Sequence, residues 1–222
     1  MPKYFNGSKH IYIPYKYKKH NLHDRIFKRE IIISCLLGNG ELLSNEPFNI
    51  AKPTLKIVES NYEYALFKYN LLKQINWTSK ITIRKSKQYN LYMLSCPYDK
   101  KFRIYYKWLY KGKERIKTTE NIIQYMFTEY FPAIIVMDRG RLNSNGELEI
   151  HIPVGNLQTQ REMDKLFEYI YDIQSYSSID MIKFNKTNTK KLLDLIEPII
   201  IKVPSKFAYF YSTRQQQAED IV

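Results

Sequence analysis

Cations and aromatic rings crowd the start of the chain. Residues 1–29 carry Lys3, Lys9, Lys16, Lys18, Lys19, Arg25, Lys28 and Arg29 against one acid, Asp24, with Tyr4, Phe5, Tyr12, Tyr15 and Tyr17 set between them. Such cations neutralise phosphates while rings stack on bases, so this composition suits a nucleic acid. A second basic cluster, Lys80, Arg84, Lys85 and Lys87, lies on KITIRKS (80–86), which with YNLYMLS (89–95) reads as a hairpin. Strand alternation puts 83, 85 and 87 on one face and 84 on the other, which makes Lys85 and Lys87 the expected contacts. Contacts of this kind go mainly to phosphates, so the binding they support is weakly sequence-specific and falls with salt.

Other chemistries find little support. Cys35 and Cys96 form no C-x-x-C pair, and His10, His20, His23 and His151 lack metal-ligand spacing. Neither a metal nor a cofactor is expected. The formal net charge is +13 and 44% of residues are hydrophobic, the balance of a globular protein with a polyanionic partner. No apolar run is long enough to span a bilayer, no signal peptide is visible, and no membrane partner is expected. Lys, Asn, Ile, Tyr and Phe, the residues of A/T-rich codons, dominate over glycine. Together with a tail ill-suited to import, that bias implies a protein encoded inside a mitochondrion.

The elements that would position these residues come in two similar passages. Each begins with an apolar helix ending at glycine, Gly40 in one and Gly140 in the other. Each continues through an extended stretch, 54–58 (TLKIV) or 148–152 (LEIHI), into an amphipathic helix. Ser60 with Glu63 and Thr159 with Glu162 read as capping boxes for those helices. Tyr62, Ala65, Leu66, Tyr69 and Leu72 give the apolar face of the first; Met163, Leu166, Phe167 and Ile170 give that of the second. Phe102, Tyr105, Tyr106 and Leu109 predict a helix over 98–110, and Thr119 is the expected cap of a helix running to Phe131. DMIKFNK (180–186) reads as a strand, followed by a helix over 189–197 that Pro198 and Pro204 limit. The repetition indicates an internal duplication.

IISCLLGNG (32–40) and PAIIVMDRG (132–140) then stand where the two signature motifs of the LAGLIDADG homing endonuclease family, in its single-chain form, would stand. NIIQYMFTEYFPAIIVMDRG (121–140) resembles the family's second motif at Asn121, Thr128, Ala133, Met137, Asp138 and Gly140. WLYKGKERI (108–116) and LIEPIIIKVPS (195–205) resemble flanking segments of the same family. The resemblance implies an α+β fold of two pseudo-symmetric αββα-type halves packed through two central helices, with Ser34, Gly38 and Ala133 allowing close approach at their interface. It divides the chain into a basic extension (1–29), a first half (30–112), a second half (113–210) and a tail (211–222).

In that family each motif ends in an acid that holds a divalent metal. Here the corresponding residues are Asn39, a feeble Mg²⁺ ligand, and Arg139, a fixed cation. Glu41 and Asp138 lie one position away, where a side chain points roughly 100° elsewhere. The family's basic residue after its closing P-S motif falls on Ala208 or Phe210. Only one clear strand is legible between Tyr171 and Lys190, which suggests a trimmed second sheet. These departures imply that endonuclease activity is lost and the protein is not an enzyme, but an RNA-binding component of an organellar ribosome. The expected partners are ribosomal RNA and neighbouring ribosomal proteins, with DNA as a residual partner. The alternatives are a group I intron maturase and an active DNA endonuclease of the same family.

Overall fold

The computed structural model describes residues 3–6, 9–12, 20–46, 50–75, 81–111, 114–115, 126–151, 157–178 and 181–219. Strands β1 (Lys3–Asn6) and β2 (Lys9–Tyr12) pair antiparallel, and α1 (His20–Leu37) follows. Helix α1 therefore begins inside the segment expected to lie outside the core, and Arg25, Lys28 and Arg29 belong to the same helix as the first apolar motif. Every residue from Ile31 to Leu37 is buried, because a helix that is apolar all round must be enclosed on all sides.

The first half continues through β3 (Gly40–Leu43), β4 (Thr54–Glu59), α2 (Tyr62–Gln74), β5 (Thr82–Lys85), β6 (Tyr92–Cys96) and α3 (Phe102–Leu109). A short pair, β7 (Tyr110–Lys111) and β8 (Glu114–Arg115), leads towards the second half. That half holds α4 (Tyr130–Arg139), β9 (Gly140–Leu142), β10 (Leu148–His151), α5 (Leu157–Tyr171), β11 (Tyr176–Ser178), β12 (Met181–Phe184), α6 (Lys186–Ile200) and α7 (Pro204–Glu219). The sheet orders are β3-β4-β6-β5 and β11-β12-β10-β9, antiparallel throughout. Helix α1 packs along α4, and the first strand of each sheet leaves directly from one of these helices.

Four expectations need correcting at this level. The second sheet is not trimmed: β11 pairs with β12 through Tyr176↔Lys183 and Ser178↔Met181 and completes four strands. Its three residues, YSS, carry too little pattern to read as a strand, and pairing with β12 supplies what propensity does not. The cap of α2 is Asn61 rather than Ser60, its side chain accepting the Tyr64 N–H at 2.9 Å. Thr159 lies inside α5, whereas the helix expected from Thr119 falls largely outside the described residues. Pro198 sits within α6 on an exposed turn instead of ending it, and Pro204 opens α7.

The glycines that end the two apolar helices are required by space rather than by backbone angle. Gly140 has φ −76° and ψ 140°, an ordinary extended conformation. A Cβ there would stand 2.6 Å from the Val136 carbonyl oxygen, and one at Gly40 would stand 2.6 Å from that of Cys35. Both contacts are with backbone, which cannot move aside cheaply.

Candidate functional site

Alternation along each strand divides each sheet into a face against the helices and an open face. In the first sheet Leu42, Leu55, Ile57 and Leu94 are buried beneath the helices. Glu41, Lys56, Ser95 and Thr82 form a rung across the open face, in register on β3, β4, β6 and β5. In the second, Leu148, Ile150, Ile182 and Phe184 are buried, and Arg141, Glu149, Lys183 and Tyr176 form the matching rung. The innermost charges are reversed between halves, Glu41 and Lys56 against Arg141 and Glu149. Lys183 Nζ holds Glu149 at 3.0 Å.

The two halves meet at the ends of α1 and α4. Gly38 approaches so closely that a Cβ on it would lie 1.7 Å from Asp138 Oδ2. Asp138 reaches across from α4 and accepts the Asn39 backbone N–H at 2.9 Å, while Arg139 Nη2 donates to the Gly38 carbonyl oxygen at 2.9 Å. Beneath this contact Lys68 of α2, wholly buried, lies 2.6 Å from both Glu59 Oε1 and Asp138 Oδ1. Asn39 Nδ2 donates to Glu59 Oε2 at 3.3 Å, and Lys206 Nζ of α7 donates to the Met137 carbonyl oxygen at 2.6 Å. Burial drives the Lys68 ammonium toward release of its proton, but Asp138 and Glu59 outweigh it and hold the pKa above the ordinary lysine value. Burial raises Glu59, with Lys68 opposing. Burial also lowers Lys206.

Residue by residue, the outcome for the sequence reading is mixed. Ser34, Gly38 and Ala133 are all buried, and Ser34 Oγ turns back to donate to the Glu30 carbonyl oxygen at 2.7 Å. Arg84 faces outward on the open side of β5, whereas Ile83 packs on the core and carries Lys85 to the helix side, 5.8 Å from the Tyr92 ring. Lys85 and Arg84 thus lie on opposite sides of β5, Arg84 on the open one. Lys87 is exposed in the turn after β5. Arg25 is exposed on α1, with Lys28 and Arg29 half-buried. Lys3 and Lys9 lie on β1 and β2; Lys16, Lys18, Lys19 and Lys80 fall outside the described residues. Sequence reasoning missed Lys68 and Glu59, and it placed no basic residue at the closing P-S segment, where Lys206 in fact reaches the junction.

Two packed helices, each running into a four-stranded antiparallel sheet with the same strand order, make the two halves repeats of one plan. Residues 29–192 match the sequence profile of the LAGLIDADG DNA endonuclease family, and the chain belongs to that family. Among solved structures, it is similar to the homing endonuclease I-WcaI bound to its DNA recognition sequence. The TM-score is 0.61 at 13% identity, over 89% of this chain and 94% of that one. It is also similar to mesophilic variants of the homing endonuclease I-DmoI, with TM-score 0.51 at 13% identity over 78% of this chain and 97% of that one. I-DmoI in complex with DNA and Mn gives 0.50 at 13% identity, over 77% and 96%. A search of curated proteins finds no match.

Family membership corrects the expectation that the chain is not an enzyme. That expectation rested on Asn39 and Arg139, on the missing basic residue at Ala208 or Phe210 and on a trimmed sheet, whereas the family and its solved members are DNA endonucleases, so an enzyme reading is the better supported one. The motif-end residues nevertheless do not fit a divalent ion held between them. Asn39 offers only a neutral amide in place of a carboxylate, Arg139 brings a positive charge, and the Lys68 ammonium already occupies the space between Glu59 and Asp138. Among the described residues no group of three or more His, Cys, Asp or Glu could hold a metal ion.

Proposed function

We propose that the chain binds duplex DNA in the manner of a homing endonuclease, with both open sheet faces along the major groove, and that strand scission is the activity this binding serves. The carrying observation is the rigid link between the junction and the two sheets. Residues Asn39 and Arg139 run straight into β3 and β9, so the side chains on the two rungs hold fixed positions relative to one another. Arg84, Thr82, Lys56 and Ser95 on one face, and Arg141, Lys183, Tyr176 and His151 on the other, supply donors suited to base edges and phosphates. A two-stranded ribbon or sheet edge is of a size that the B-DNA major groove admits.

An RNA partner, ribosomal or intronic, is the second reading and rests on the basic residues of 1–29. A competition experiment decides between them. Purified full-length chain is offered a randomised duplex pool and a structured RNA pool in equal amounts at about 0.1 M salt, and the retained duplexes are then incubated with Mg²⁺ or Mn²⁺. The proposal expects enrichment of duplexes and strand breaks within the enriched sequence. Retention of RNA with no enrichment of duplex would favour the second reading.

A further inference from the structure

We propose that Arg139 and Arg141 form a clamp for the DNA backbone at the junction of the two halves, a phosphate site standing where the first residues of the second sheet leave α4. The inference rests on the duplex-binding reading above. Three cations converge on the C-terminal end of α4. Arg139 is its last residue, Arg141 follows two positions later on β9, and Lys206 reaches it from α7. The corresponding end of α1 has Asn39 and Glu41 instead, so the positive charge belongs to one side of the junction only.

The two arginines differ in how they are held, and the difference suits a clamp. Arg139 is half-buried and its Nη2 is fixed on the Gly38 carbonyl oxygen of the other half, while its Nε is buried with no partner. A guanidinium has five N–H donors, so with one Nη2 N–H on Gly38 and the Nε–H enclosed, the remaining donors on Nη1 and Nη2 are the ones left to face phosphate oxygens. Arg141 is exposed on the open face, and its cross-strand neighbour Glu149 is engaged by Lys183. No carboxylate among the described residues lies within ion-pairing distance of either arginine. The electronegative end of a helix accounts for cations near α4, and Lys206 already donates to a carbonyl there. It does not account for the free donors of Arg139, nor for Arg141, which stands beyond the helix on the open face.

The consequence is an unequal grip. One strand of the duplex meets a fixed guanidinium pair at the centre, and its pseudo-symmetric counterpart meets an amide and a carboxylate. Charge repulsion by Glu41 makes the second contact weaker, so backbone affinity at the centre is carried by the α4 side.

The test measures affinity for the enriched duplex against salt for the full chain and for Arg139→Gln, Arg139→Lys, Arg141→Gln and Lys202→Gln. Lys202 lies beside Tyr130 in the helix layer, 5.7 Å from its ring, and serves as a control. Each neutral arginine variant is expected to bind severalfold more weakly, with the slope of log affinity on log salt shallower by about one. Arg139→Lys, which keeps the charge, retains most of the slope, and Lys202→Gln is unchanged. A purely structural role for Arg139 would lower thermal stability and leave the slope alone. If the wild-type chain binds duplex and both neutral variants keep its slope, the clamp is wrong and the duplex reading stands. If the wild-type chain shows no duplex affinity, both fall together.

Discussion

Lys68 holds an ammonium with no exposed surface between Glu59 from its own half and Asp138 from the other. Its partners are fixed in turn by Asn39, through the backbone N–H and the side-chain amide. Removing one member of such a group leaves buried charges uncompensated, a cost on the order of 3–5 kcal/mol. Lys68→Met is therefore expected to lose that much in urea unfolding, and adding Glu59→Gln with Asp138→Asn recovers part of it; no loss in the single variant would mean that the ion network is not buried in solution. Glu30 supplies a second test. Its Oε1 accepts the Phe127 and Thr128 N–H groups at 3.1 and 2.8 Å, its Oε2 is buried without a partner, and burial raises its pKa from 4.5 to about 8. The folded state thus keeps a proton that the unfolded chain has released, so this group's contribution is full below about pH 4.5 and is lost as pH rises through about 8. Glu30→Gln preserves the acceptor and cannot ionise. Its melting temperature is expected to fall less than wild type between pH 5 and 8.5, and parallel profiles would refute the assignment. Asn39 and Arg139 were legible because the glycine after each fixes the register. Lys68 was not, since a lone lysine among apolar residues of an amphipathic helix reads as its solvent edge.

At the scale of elements, the pairing of α1 with α4 depends on what Gly38 lacks. Asp138 Oδ2 occupies the space a Cβ would need, so Gly38→Ala must push Asp138 off Lys68 and off the Asn39 N–H. Overpacking of this kind costs about 1–3 kcal/mol. The substitution is expected to destabilise wild type by at least that much and to cost less in an Asp138→Ala background, a coupling that a double-mutant cycle reads directly. Additive effects would show that the two residues do not meet. The helices themselves were readable from apolar periodicity, and β4, β6, β10, β12 and α3 from theirs. What escaped was set by pairing or capping. Strand β11 exists through β12, Asn61 takes the cap that the Ser60–Glu63 spacing suggested for its neighbour, and the buried face of α2 turns to Tyr64, Ala65, Lys68, Leu71 and Leu72 because Lys68 must reach two carboxylates.

For the whole molecule, each sheet has an open face opposite the one its helices cover, and the two halves are joined at a buried junction. With a net charge of +13, attraction to any polyanion is expected, so affinity alone does not locate the contact. Position does. A photoreactive residue placed at Ser95 or Tyr176 reports the open faces, and one placed at Tyr62 or Tyr209 reports the exposed helical side. Irradiation of each full-length variant with a bound duplex is the most direct test. The account predicts cross-links to DNA from Ser95 and Tyr176 and none from Tyr62 or Tyr209. Cross-links confined to the helical side would contradict it.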